Sequence, residues 1–176
     1  MRTAELKDSE YNLFYKTYIL ALDNIELIDG LQDGLTNFIN FLNAIPENKF
    51  SYAYRENKWT IAEVILHIID TERVFQYRAL CFSRNDKTAL PGFEQNDYVP
   101  NSNAKNRSKE SLIKEYIAVR TSTIALYASF NDNVLKCIGN ASNSEMTVAA
   151  QGFIIAGHQA HHKRILEERY LKINLT

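Results

Sequence analysis

The sequence predicts an all-α protein built as a four-helix bundle. Three observations carry this. Four stretches of about 20 residues place apolar side chains at alternating steps of three and four, the spacing of a helix with one buried stripe. Chain breakers are scarce, with six Gly and three Pro in 176 residues. Ten Tyr, nine Phe and one Trp supply more large apolar groups than a solvated, disordered chain would hold. The length fits one domain, residues 1–176, and a domain near this size buries roughly 70% of its unfolded surface.

The first 22 residues, including the aromatic run YNLFYKTYILAL, are ambiguous between extended and helical structure. The first clear helix spans about Ile25 to Ile45, with Ile28, Leu31, Leu35, Phe38, Leu42 and Ile45 in one stripe. Gly30 and Gly34 weaken it and Pro46 ends it. The second opens at Thr60, where Thr60-x-x-Glu63 forms a capping box. Its face runs through Ile61, Val64, Ile65, Ile68, Phe75, Ala79 and Phe82, and it ends near Ser83. Residues 84–107 read as an irregular crossover in which Pro91-Gly92 and Pro100 forbid regular helix; long loops of this kind often cover a site. The third helix starts near Ser108, with Leu112, Tyr116, Val119, Thr123, Leu126 and Phe130 inward. A Gly/Asn/Ser-rich connector, IGNASNSE, follows it. The fourth runs from the N-cap Thr147 to about Tyr170, with Val148, Gln151, Ile155, His158, His162, Leu166 and Arg169 in one stripe. Spacing leaves both an up-down-up-down and an up-down-down-up path open.

Twenty basic against 21 acidic side chains give a net charge of −1, which excludes the basic face that grips nucleic acid. Cys81 and Cys137 have no metal-ligand spacing and form no disulfide framework. No apolar run approaches a membrane span, and the charged opening MRTAELKDSE lacks the apolar core of a signal peptide. A cytoplasmic protein with no membrane partner is the expectation.

Only four histidines occur, and three of them, His158, His161 and His162, lie within GHQAHHKRIL. His158 and His162 are four apart and share one helix face, a platform for a transition metal. They stand where a bundle normally places Leu, and buried imidazoles without partners cost roughly 1–3 kcal/mol each. His67 lies on the flank of the second helix and could complete a three-histidine set, whereas His161 falls to one side. Histidines packed in a core without metal are the alternative.

The run Lys58 to Leu80, KWTIAEVILHIIDTERVFQYRAL, together with Gly152 to Leu171, GFIIAGHQAHHKRILEERYL, resembles the DinB-like superfamily. The shared signature is W-[ST]-x-x-E-x-x-x-H, here Trp59 to His67, followed distantly by H-x-x-H-H, here His158 to His162. The resemblance implies a four-helix bundle that holds a divalent metal, zinc or nickel, through His67, His158 and His162. It also implies a homodimer. Relatives include thiol-dependent transferases and metal-dependent hydrolases, so the resemblance implies a small-molecule substrate and leaves the reaction open.

Three histidines leave an open coordination position, the mark of a catalytic metal. A cation there lowers the pKa of a bound water towards about 7 or deprotonates a bound thiol. Glu63 lies one turn before His67, within reach as a general base, but the capping box is the simpler role. Asp70 and Glu72 read as surface groups or as partners orienting imidazole N–H groups. Arg73 and Arg78 are candidates for binding an anionic substrate, although solvated or snorkelling arginines are the simpler reading. Trp59 reads as a hydrophobic staple, and Cys81 as a poor nucleophile near a helix C-terminus. The competing function is a metal-stabilised bundle without catalysis, serving as a binding or scaffold protein.

Overall fold

The computed structural model describes residues 1–172. Four long helices form the bundle: α2 (Leu27–Ala44), α3 (Ile61–Ser83), α5 (Lys109–Ala128) and α7 (Val148–Ile165). Short helices α1 (Lys16–Ile19), α4 (Gln95–Asn101) and α6 (Asp132–Leu135) decorate it, with one hairpin of β1 (Ile138–Ala141) and β2 (Ser144–Thr147). Three of the four long helices begin on side-chain caps. Thr60 Oγ1 accepts the Glu63 N–H at 3.3 Å while Glu63 Oε2 accepts the Thr60 N–H at 2.7 Å. Ser108 Oγ and Thr147 Oγ1 accept from Ser111 and Ala150, each at 3.1 Å.

The path is up-down-down-up. Both α3 and α2 pack against α5 and α7, so the sequence neighbours α2 and α3 stand diagonally. Lys109 at the start of α5 donates to Asn43 O at the end of α2, so those two helices are antiparallel. On α3 and α5, Glu72 meets Arg120 and Gln76 meets Ser122, so these run parallel. On α2 and α7, Gly34 meets Gln159 while Leu27 lies beside Gly152, which makes that pair parallel too.

The core is two apolar clusters separated by a polar layer. One contains Leu27, Leu31, Phe75, Phe82, Tyr127 and Phe153. The other contains Phe38, Leu42, Ile65, Leu112, Tyr116 and Leu166. Between them the fully buried Arg120 guanidinium donates from Nε and Nη2 to Glu72 Oε1 and Oε2 at 2.7 and 2.8 Å, and from Nη1 to Leu31 O at 3.3 Å. Tyr116 Oη donates to Gln159 Oε1 at 2.6 Å, and Gln159 Nε2 donates to Gly34 O at 3.0 Å. A Cβ on Gly34 would stand 2.9 Å from Arg120 Nη1 and would press on the guanidinium that Glu72 holds. Glu72 is thus a core ion-pair partner on α3, not a surface group or an imidazole partner.

Three further expectations need correction. Residues 84–107 are not free of helix, because α4 forms there behind the Glu94 cap, whose Oε1 accepts the Asn96 N–H at 2.9 Å. Pro100 enters only its last turn, where a missing N–H removes a single bond. The IGNASNSE connector is the β1–β2 hairpin, closed by Ser142 and Asn143 at φ 53° and 57°, the left-handed pair that a two-residue hairpin turn needs. Beyond Ile165 the chain widens into a π-helix, Leu166–Leu171, which carries Tyr170 rather than Arg169 back to the core side; Arg169 is exposed.

Removing one partner of the buried pair leaves the other charge uncompensated. Glu72→Gln should therefore lower stability by about 3–5 kcal/mol in urea unfolding. The double change Glu72→Leu with Arg120→Met should cost less than that single change.

Candidate metal centre

His67 sits in the second turn of α3. His158 and His162 sit one turn apart on α7, and antiparallel packing of the two helices brings all three rings together. One donor nitrogen from each lies within 4.8 Å of the others. His67 Nε2 and His158 Nε2 are 3.0 Å apart, and the ring centroids are separated by 4.9 Å (67–158), 4.9 Å (67–162) and 4.5 Å (158–162). His67 and His158 are buried, and His162 is half-buried.

The rings are neutral at physiological pH. Burial pushes the His67 pKa down to about 4 and that of His162 down to about 3, the latter with help from His67 and His161. Burial likewise holds His158 well below its ordinary value, reinforced by the three other histidines. Neutral imidazole with a free lone pair is the ligand form, so these residues fit a divalent cation. Two facing nitrogens with no carboxylate in the cluster otherwise satisfy only each other. His67, His158 and His162 would hold such a cation through one ring nitrogen each.

Neighbours orient the rings. Thr71 Oγ1 lies 3.4 Å from His67 Nδ1, one turn further along α3, and ties the second ring nitrogen while Nε2 faces His158. Trp59 packs against His67 with ring centroids 5.0 Å apart, so it buttresses a site ring as well as preceding the helix cap. Tyr18 places its ring edge-on to His158 and His161 at 5.3 and 5.2 Å. Gly157 makes this possible, since a Cβ there would lie 2.1 Å from Tyr18 O. His161 stands beside the triad, half-buried, with Nδ1 unpartnered.

Two clefts reach the histidines. One, of about 220 Å³, is lined by Tyr18, His67, Thr71, Phe75, Arg78 and His158, with Gln95 of α4 at its edge. The other, of about 270 Å³, is lined by Tyr54, Lys58, Trp59, His162 and Arg169, with Asn96 at its edge. A hollow of about 400 Å³ lined by Glu5, Lys7, Glu10 and Asp132 contains none of the histidines, so volume alone does not locate the centre.

A family model described as the DinB superfamily matches residues 31–166. The chain belongs to the DinB superfamily. A curated relative from Oceanobacillus iheyensis, named "Putative metal-dependent hydrolase OB0413", is 23% identical over 122 residues, covering 69% of this chain and 70% of the relative. The fold matches YfiT from Bacillus subtilis with a TM-score of 0.75, at 13% identity over 88% of this chain and 93% of that one. YfiT is described as a probable metal-dependent hydrolase with an unusual four-helix bundle topology.

Other candidates separate from the centre. Glu63 is committed to its cap, accepting also from Thr60 Oγ1 at 2.9 Å and pairing with Lys105 at 3.4 Å, so it is not poised as a base. Arg73 is half-exposed and pairs with Glu115 at 2.6 Å. Asp70 lies on the same side, 3.5 Å from Arg73. Arg78 is not solvated; it is buried in the cleft wall. Sequence reading missed Tyr18, which no spacing announces, and Thr71, which the i, i+4 relation to His67 could have revealed.

Two outcomes follow. Unfolded histidines protonate near pH 6.5, whereas folded His67 does so near 4, so the unfolded state binds more protons in between. Metal-free protein should lose stability as pH falls from about 6.5 to about 4, by an amount on the order of 3 kcal/mol from His67 alone. Urea midpoints across that range measure it. Thr71→Val should keep the fold but weaken metal binding about tenfold, read by competition with a chromophoric chelator.

Proposed function

We propose that the chain is a metal-dependent enzyme whose His67, His158 and His162 hold one divalent cation, zinc or nickel, and that its reaction is hydrolytic. The observation that carries this is a three-imidazole set with no fourth protein ligand among the described residues, placed where two clefts end. Such a set leaves a position for a reactant. Neutral ligands keep the full positive charge on the ion, which acts as a Lewis acid and lowers the pKa of water or thiol brought to it. The protein supplies the rest. His67 is held by Thr71 and Trp59, and the phenol of Tyr18 lines the cleft with its pKa raised by burial, so its proton stays in place as a donor. Phe75 and Ile154 give the cleft an apolar wall beside the histidines.

Transfer of a low-molecular-weight thiol is the second reading. Two separate clefts, one ending on His67 and His158 and one on His162, suit a reaction of two substrates.

Tag-free protein should carry about one divalent ion per chain by elemental analysis, and alanine at any of the three histidines should remove it. Chelation should abolish turnover in a screen of ester, amide and thiol-acceptor substrates, and zinc or nickel should restore it. Turnover that survives chelation would refute the proposal.

A further inference from the structure

The bundle buries two arginines, and only one of them is met by a carboxylate. Arg120 is fully buried and held by both oxygens of Glu72. Arg78 is 2% exposed, yet no carboxylate pairs with it among the described residues. Its Nη2 donates to Pro91 O at 3.0 Å and to Ser142 Oγ at 2.9 Å. Its Nη1 is buried with no hydrogen-bond partner. The guanidinium carbon stands 5.0 Å from the centre of the Phe75 ring, so the side chain folds back along α3 towards His67. A buried cation without an anion costs several kcal/mol unless something supplies the charge.

The position of this charge is informative. His67, Thr71, Phe75 and Arg78 follow one another at steps of four, four and three on a single face of α3, and all line the same cleft. From His67 to Phe75 is about 12 Å along the helix axis. The cleft therefore has the histidines at one end, a guanidinium at the other and aromatic rings between, among them Tyr15, edge-on to Phe75 at 5.6 Å. One carboxylate does line the cleft, that of Glu94, but it is turned to its own helix, where Oε1 accepts from Asn96 N–H and Nδ2 at 2.9 and 3.0 Å.

We infer that Arg78 is a specificity-determining residue that takes the anionic end of the substrate, so the centre acts on small organic oxyanions with an apolar or aromatic body between the charge and the reactive group. The inference rests on reading this cleft as the route to the metal centre. Charge-assisted N–H donation to a carboxylate is what the free Nη1 provides, and a phosphate or sulfonate presents the same kind of oxygen. Pro91 O and Ser142 Oγ fix one side of the fork and leave Nη1 for the ligand.

Hydrocinnamate, its neutral primary amide and phenyl phosphate are the probes, measured by calorimetry on wild-type protein with metal and after chelation. The acid should bind at least about tenfold tighter than the amide. Its addition should shift the Arg78 guanidinium resonances in side-chain NMR of the wild type, a readout that needs no variant. Arg78→Gln should bring acid and amide to equal affinity while metal content stays unchanged. Ser142→Ala, which removes only a tie, should preserve the preference. Stripping the metal should leave the preference for the acid in place; protein that takes up no zinc or nickel on reconstitution yet selects the anion would overturn the metal reading and spare this one. Tighter binding of phenyl phosphate than of the acid also supports the anion site and names phosphate as the group. Equal affinity of wild type for acid and amide, no binding of any probe, or unmoved Arg78 resonances would overturn it.

Discussion

The buried pair of Arg120 and Glu72, with the Tyr116–Gln159 hydrogen bond beside it, is the constraint that the rest of the structure depends on. Every long helix crosses from one apolar cluster to the other through this layer: α2 at Gly34, α3 at Glu72, α5 at Arg120 and α7 at Gln159. Apolar surfaces alone would let helices slide by a turn at little cost, since one leucine serves a groove much as another does. Directional bonds between single atoms do not tolerate such a slip, and a slipped register would leave a charge buried alone. Gln159 follows His158 directly. The bond that sets the height of Gln159 therefore also sets the height of His158 against His67, and the ion pair on Glu72 does the same for α3.

The same layer explains why three neutral imidazoles can sit in the core. A carboxylate in the cluster would need its own counter-charge, and the guanidinium of the polar layer, Arg120, is already taken by Glu72. Three imidazoles avoid that demand, and burial keeps them unprotonated. An uncharged donor set inside an apolar bundle leaves any cation's charge undiminished for a bound reactant.

Much of this was legible in the sequence. The stripes on α2, α3, α5 and α7 and the caps at Thr60, Ser108 and Thr147 follow from local periodicity and hydrogen-bonding chemistry, which act within a turn. The two α7 histidines were visible for the same reason. What stayed hidden involves partners distant in sequence. Nothing near Arg120 marks it for Glu72, 48 positions away, and nothing near Arg78 shows that Ser142 and Pro91 will enclose it. An arginine on an amphipathic helix reads as solvated until the tertiary neighbours are known. The hairpin was missed because its turn uses Ser142-Asn143 rather than a glycine pair.

The helix order accounts for the site's surroundings. Because α3 and α5 run parallel, the chain leaving Ser83 must travel back the length of a helix of 20 residues, some 30 Å, before α5 can begin. A short loop cannot do this, so a long connector is a consequence of the topology rather than an insertion. On its way the connector pairs Leu90 with the hairpin, through Leu90 N–H to Asn140 O at 3.0 Å, and lays Pro91 against Arg78. It then forms α4, whose Gln95 lines one cleft and whose Asn96 lines the other. A bundle with alternating helices would have had no reason to send a chain over this face. The crossover that a parallel pair demands is thus also the wall that makes the histidine centre a bounded site instead of an open groove between two helices.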